Sequence, residues 1–473
     1  MHARYFFLFM SIVFTAASTH AQQDLEVKSA RAALEQVVHF FRTQVAVEGS
    51  YLWAYSSDLA LREGENEATA TQGWVQPPGT PSVGFAYLRA FERTGEAYLL
   101  EAARETGMAL VKGQLQSGGW NYVVDFDPAA RAKTSYRVEP RGDGSNTSTL
   151  DDNTSQEALA FLIALDLALA QKDAAIHECV LYALDALLAA QYPNGAWPQR
   201  FKAPPVASEF PVKKAEYPES WPREFPKVDY MSFYTFNDSS IADTMELMLA
   251  AWDAYKDERF KNAALKAGDF MLLAQMPAPQ PAWAQQYNRD MHPAWARKFE
   301  PPAISGHESQ SILHALLVLT ARTGETRFLD AVPQALAYLR ASQLPDGRLA
   351  RFYELHTNKP LFFTQDYVMT YDGSNVPTHY SFYTELRADK IETLYEWVKA
   401  GKALAPPVPD PGEVARAARR ALETLDARGA WLSDRPLKKI TLPEGAKTIS
   451  CSDFIHNVDA LSNYIALRAG KTP

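Results

Sequence analysis

Four stretches of the chain share one local pattern, and their spacing limits the folds open to it. Gln116-Ser-Gly-Gly-Trp120, Gln191-Tyr-Pro-Asn-Gly-Ala-Trp197, Gln275-Met-Pro and Gln343-Leu-Pro-Asp-Gly347 each follow an apolar stretch of helical period. Glycine and proline suit such places because a helix has to stop there and the chain reverse. The glutamines stand 75, 84 and 68 residues apart, which is room for a pair of helices and a loop. The repeat therefore marks an array of helical hairpins.

The stretches between the turns agree with that reading. In Asp238 to Tyr255, the residues Ile241, Met245, Met248, Trp252 and Tyr255 fall on one face, the stripe of a helix packed on one side. Similar stripes run through Leu25 to Val47, Gln156 to Ala170, Phe260 to Gln275, Ser309 to Thr323 and Glu413 to Arg428, while strand-like alternation is scarce. The expected fold class is all-α, a toroid of repeated helical hairpins, with an open solenoid as the alternative. Val123 to Ser148, Phe201 to Tyr234, Ala278 to Gly306 and Leu349 to His379 are longer than ordinary connections. Loops of that length in a compact domain usually carry function, and these are expected to build a site at one end of the ring.

The N-terminus reads as a leader. Arg4, an apolar run from Tyr5 to Ala17 and the small-residue sequence up to Ala21 predict a signal peptide over 1–21, cut after Ala21. Residues 22–473 are then one catalytic domain outside the cytoplasm, periplasmic or secreted, expected to be monomeric. No stretch approaches the roughly 20 apolar residues of a membrane span. Loss of the leader removes one Arg and no acid, taking the net charge from -9 to -10. That charge argues against a nucleic-acid partner. With only Cys179 and Cys451 the chain has at most one disulfide, and Cys179 lies in an apolar helical stretch that favours a buried thiol. His292, His307 and His356 share no metal-ligand spacing.

Five segments fall in a distinctive order: Gln191 to Gln199, Thr235-Phe-Asn-Asp238, Trp283-Ala-Gln-Gln-Tyr-Asn288, the run from Ala296-Arg297 through Glu300 to Ser309, and Arg351-Phe-Tyr-Glu354. Together they resemble polysaccharide lyase family 10, the pectate lyases of α/α-toroid fold. The resemblance covers roughly Thr149 to Tyr383. It implies cleavage of pectate, or a related uronic-acid polymer, by Ca²⁺-assisted β-elimination. Position by position, it implies Arg297 as the base that takes the C5 proton. It implies Asp238 and Asp151, or Asp152 by a shift of one, as metal ligands, and Arg351 as a contact to substrate. Lys298, Trp283, Gln286 and Gln365 are expected to join the substrate-binding surface.

The chemistry gives these residue types a reason. Loss of a proton α to a carboxylate builds negative charge that has to be neutralised as it develops, and hard Ca²⁺ held by carboxylates suits that task. An ordinary arginine stays protonated, so Arg297 needs desolvation or a cationic neighbour such as Lys298 to lower its pKa. Each aspartate has a plainer reading as a helix N-cap. Trp283 divides between packing and sugar stacking.

The pattern also departs from the family. Tyr287 and Asn288 stand where His and Asp are expected, Gln365 replaces an Arg, and the loop after Gln199 carries an insertion with Lys213, Lys214, Arg223 and Lys227. A toroid-type glycoside hydrolase acting on uronate-containing glycans, or a non-catalytic glycan-binding relative, stays open at this point.

Overall fold

A computed structural model describes residues 26–138, 142–405 and 408–471; the leader expected over 1–21 lies outside them. Helix α1 covers 26–40 and runs on into the π turn Phe41–Val45. It is followed by α2 (Thr80–Thr94), α3 (Ala97–Gly113), the single turn α4 (Pro128–Arg131), α5 (Thr154–Ala168) and α6 (Ala174–Ala190). Next come α7 (Ser240–Tyr255), α8 (Glu258–Ala274), α9 (Glu308–Thr323), α10 (Val332–Ala341), α11 (Ala388–Lys399), α12 (Pro411–Thr424) and α13 (Cys451–Arg468). None of the described helices is long and apolar enough to cross a membrane.

The helices form two concentric layers. On the inside α13 packs on α2, α2 on α5, α5 on α7, α7 on α9 and α9 on α11. A short link after α11 leads to α12, which packs on α13, and the two layers are those of an α/α toroid. The outer helices α3, α6, α8 and α10 each keep an exposed face, whereas α5 is buried almost all round. That difference follows from composition: α5 is apolar on every side, which suits only an inner position. The sequence reading stopped at Arg428 and missed α13, whose Phe454, Val458, Leu461 and Ile465 are core residues. Cys179 and Cys451 are both buried free thiols.

The glutamine turns join the outer layer. Gln191 Nε2 donates to Gly195 O within its own turn and to Ala263 O on α8, both at 2.9 Å. Gln275 does the same to Pro281 O and Ala331 O, at 3.1 and 3.0 Å. In the first turn the equivalent residue is Gln114, bonded to Gly118 O and to Cys179 O on α6 at 3.0 and 2.9 Å. This corrects the reading that began the turn at Gln116. The register is set by Gly118 and Gly195, each four residues after its glutamine and at φ of 108° and 97°, a region that favours glycine. Six residues after the glutamine a tryptophan is driven into the core. Trp120 and Trp197 donate their ring N–H to Leu110 O and Leu187 O, each at 2.8 Å. The turn from Leu425 to Trp431 repeats this with Ala421 O at 2.8 Å, without a glutamine to reveal it.

Short strand pairs then carry the chain from the turns to the inner helices. Thr149 pairs with Arg200, Thr235 with Gln286, and Ser305 with Phe352. One residue further along, Leu150 N donates to Gln199 O, Phe236 N to Gln285 O and Gly306 N to Arg351 O. Val75 N donates likewise to Tyr122 O. Tyr122, Gln199, Gln285 and Arg351 are therefore equivalent positions around the ring, at the end where α5, α7 and α9 begin.

Candidate active site

At that end lies a cavity of about 540 Å³ whose lining is mostly polar. Asp151, Asp152 and Asp238 form one wall, and each offers a carboxylate oxygen within 4.8 Å of the others. Asp152 and Asp238 stand in corresponding one-turn 3₁₀ helices before α5 and α7, both at φ 49°. Aspartate tolerates this left-handed conformation better than most residues. The N-caps proper are Asn153 and Ser239, and neither helix start is capped by a side-chain bond. The plain N-cap reading of the aspartates is thereby set aside: their carboxylates belong to the cleft.

Neighbouring side chains orient the three carboxylates. Tyr122 donates to Asp151 Oδ2 at 2.9 Å, Gln76 Nε2 donates to Asp152 Oδ2 at 2.9 Å, and the Asn237 amide donates to Asp238. Arg200 lies 3.7 Å from Asp151 Oδ2. Burial, then the charges of Asp151 and Glu65, pushes Asp152 up to about 6. Burial, then Asp152 and Asp151, pushes Asp238 to about 7. Asp238 keeps an exposed face toward the cleft, so solvent screens part of this effect. Three convergent carboxylates fit a hard divalent cation such as Ca²⁺, which takes oxygen ligands.

Two arginines line the same cavity, each bound to a buried glutamate. Arg297 donates through Nε and Nη2 to the two oxygens of Glu300, at 2.9 and 2.5 Å. Arg351 bonds Glu308 and reaches Asn237 Oδ1 at 3.3 Å. Between them Tyr380 donates to Glu300 Oε1 at 3.0 Å. Its ring lies under both guanidinium groups, with centroids 5.4 Å from Arg297 and 4.5 Å from Arg351. Burial alone would lower the Arg297 pKa, but the bonds and charge of Glu300 outweigh it and raise the group above its ordinary value. This corrects the expectation of a lowered pKa, because the nearest ionic partner is an anion rather than a second cation. Gln285 Nε2, Arg351 Nε and Arg200 Nε are buried without a hydrogen-bond partner among the described residues. Such groups are costly to leave unpaired.

The remaining expected residues divide. Gln286 lines the cavity, with its amide donating to Ala294 O at 3.1 Å. Trp283 does not line it: the side chain is fully buried and its N–H donates to Met271 O at 2.7 Å, so packing is its role and sugar stacking is excluded. Lys298 points away from Arg297, its Nζ 3.4 Å from the Tyr367 ring centroid, into a neighbouring cavity. Gln365 lies outside the cleft and bonds Val376 O at 2.7 Å. Tyr287 is a core residue bonded to Ala274 O, and Asn288 closes its own turn onto the N–H groups of Asp290 and His292. These two departures from the family pattern leave the cavity untouched.

Sequence reasoning missed Tyr122, Arg200, Gln285, Glu300 and Tyr380 as site residues. Gln285 and Glu300 lay inside quoted strings. Tyr122 stands just before a short strand pairing and Arg200 within one, and Tyr380 lies in the loop before Tyr383.

The pectic acid lyase family matches residues 114–349. A mutant family 10 polysaccharide lyase from Cellvibrio cellulosa, solved in complex with trigalacturonic acid, is 22% identical. The match covers 67% of this chain and 98% of that one, at a TM-score of 0.46. The family 10 polysaccharide lyase from the same organism gives 23%, 67%, 97% and 0.46. A glycoside hydrolase family 76 mannosidase from Bacteroides thetaiotaomicron is 10% identical over 94% of this chain and 99% of that one, at 0.45. No curated protein matches the chain.

Proposed function

We propose, for a chain that belongs to the pectic acid lyase family, an exported polysaccharide lyase that cleaves pectate or a related uronic-acid polymer by β-elimination with Ca²⁺ as cofactor. The observation that carries the proposal is the convergence of Asp151, Asp152 and Asp238 with Arg297 and Arg351 on one cavity. Asp151, Asp152 and Asp238 would hold the cation. When bound, Ca²⁺ would neutralise charge developing on the uronate carboxylate as the C5 proton is lost.

The chain's own residues supply the rest. Arg351, fixed by Glu308 and by stacking on Tyr380, presents a rigid guanidinium edge suited to bidentate contact with a carboxylate. Arg297, over the same Tyr380 ring, is the group to accept the C5 proton; the C4–O bond then breaks, the departing oxygen takes a proton from solvent, and a 4,5-unsaturated sugar remains. Deprotonation of Arg297 requires that its tie to Glu300 be loosened, which is consistent with an alkaline optimum.

The test is a screen of uronic-acid polysaccharides at alkaline pH with and without Ca²⁺, read at the absorbance of the unsaturated product. New reducing ends without that absorbance would select the hydrolase. Folded protein that yields neither, on any uronate, would sink the catalytic reading.

A further inference from the structure

Beside the cleft lies a second cavity of about 750 Å³ with a different lining. The two share a wall: Ala296 and Arg297 face the first, while Trp295 and Lys298 face the second. The opposite wall comes from the basic insertion after Gln199 and from the hairpin Pro360–Phe363 with Met369–Thr370. The insertion is docked there by specific contacts. Trp295 donates its ring N–H to Pro222 O at 2.9 Å, and Arg223 pairs with buried Glu354, which also accepts from Tyr371 at 2.8 Å. Phe225 packs on Trp295 at 5.8 Å between ring centroids.

Its chemistry differs from that of the cleft. The second cavity offers apolar surface, with the Tyr371 ring 53% and Val368 62% exposed. Lys298 has no carboxylate within 4.0 Å among the described residues, in contrast with Arg297 and Arg351. An unpaired ammonium held over the Tyr367 ring suits a sugar carrying a carboxylate: the C–H face of the sugar packs on the exposed ring of Tyr371 and the anion meets Lys298.

We infer that this cavity is an extension subsite binding a further uronate unit of a chain whose other units occupy the three-carboxylate cleft. The inference rests on the uronate reading of the cleft. It also gives the insertion a role, as the wall that makes the enzyme sensitive to chain length and to the charge of a distant sugar.

Calorimetric titration of the whole mature protein with oligogalacturonates of two to six units tests it, in an Arg297→Ala background that prevents cleavage. Lys298→Gln and Tyr371→Ser are each expected to weaken hexamer binding by about tenfold, roughly 1.4 kcal/mol, with less than a twofold effect on the dimer. The methyl-esterified hexamer should lose affinity to the parent and gain nothing from Lys298. Equal losses at every length, no loss at any, or esterified hexamer bound as tightly as the acid would overturn the subsite. So would a parent that binds no oligouronate. Failure of the lyase reading shows separately, as absence of unsaturated product from the protein with Arg297 intact.

Discussion

Glu300 holds the key to how Arg297 acts, and Glu300→Gln separates the possibilities. The carboxylate is 3% exposed and makes two bonds to a guanidinium whose side chain is 43% exposed. At about 4 Å between charge centres and an effective dielectric near 20, removing one charge is worth about 4 kcal/mol. The exposed side of Arg297 calls for a discount to about 2 kcal/mol, or about 1.5 pKa units at 1.36 kcal/mol each. The sign is fixed: Glu300 favours the protonated guanidinium, so its neutral isostere lets the proton leave at lower pH. If Arg297 is the base, the rising limb of kcat/KM against pH should therefore move to lower pH by about 1 to 2 units. The assay is initial-rate formation of unsaturated product across the alkaline range in saturating Ca²⁺, with a thermal melt of both proteins to verify folding. The position of the limb is decisive, since the absolute rate also responds to lost orientation. A limb that stays in place, or moves to higher pH, refutes the base assignment and leaves Arg297 as a fixed cation for a substrate carboxylate.

Other expectations follow from the same geometry. Ca²⁺ at a hundred times its Kd should stabilise the fold by about 2.7 kcal/mol, seen as a raised Tm. Asp152→Asn and Asp238→Asn should each abolish most of that gain while leaving the metal-free protein no less stable. Without metal, Asp152 and Asp238 titrate near 6 and 7, above the value of about 3.9 for an unfolded chain. The folded state then holds protons that the unfolded chain has released, so stability should fall from about pH 4 to about pH 7; melts in chelator that show a rise over this window would contradict the site. Trp283→Ala should cost about 3 to 5 kcal/mol in denaturant unfolding, because the ring is core. Gln191→Ala, which removes two part-buried bonds at about 1 kcal/mol each, should lower Tm without changing KM.

What the sequence made legible depended on period and on local chemistry. Helical stripes and turn residues act over a few positions, so most of the hairpins were readable, and Asp238, Arg297 and Arg351 could be placed by the strings around them. The failures came where a side chain's direction is decided by distant contacts. Lys298 follows Arg297 directly, yet the Tyr367 ring draws it to the other side of the loop. Trp283 sits in a loop that faces the cleft, but its indole is captured by a carbonyl of α8. The pairing of Arg297 with Glu300 spans only three residues, and sequence offers no means of telling that turn from an ordinary solvent-facing pair. Helix α13 escaped notice because its polar positions dilute the stripe, and its burial comes from closing the ring against α2.

The turns do more than reverse the chain. In each of three hairpins a tryptophan is locked into the core, and the residue two positions later emerges in the cleft: Trp120 leads to Tyr122, Trp197 to Gln199 and Trp283 to Gln285. Buried Leu349 leads in the same way to Arg351. The buried residue fixes the backbone, and the carbonyl of the emergent residue accepts from a backbone N–H of the segment leading into the preceding inner helix in all four cases. A phenol, two amides and a guanidinium thus occupy one structural position without any change to the scaffold beneath. The same logic joins the carboxylates, since Asp152 and Asp238 are equivalent residues of successive hairpins, brought face to face because their inner helices α5 and α7 are neighbours. The acidic pair is therefore a consequence of repetition: an aspartate at the same backbone angle in each of two hairpins becomes a two-sided acidic cluster once the hairpins stand side by side.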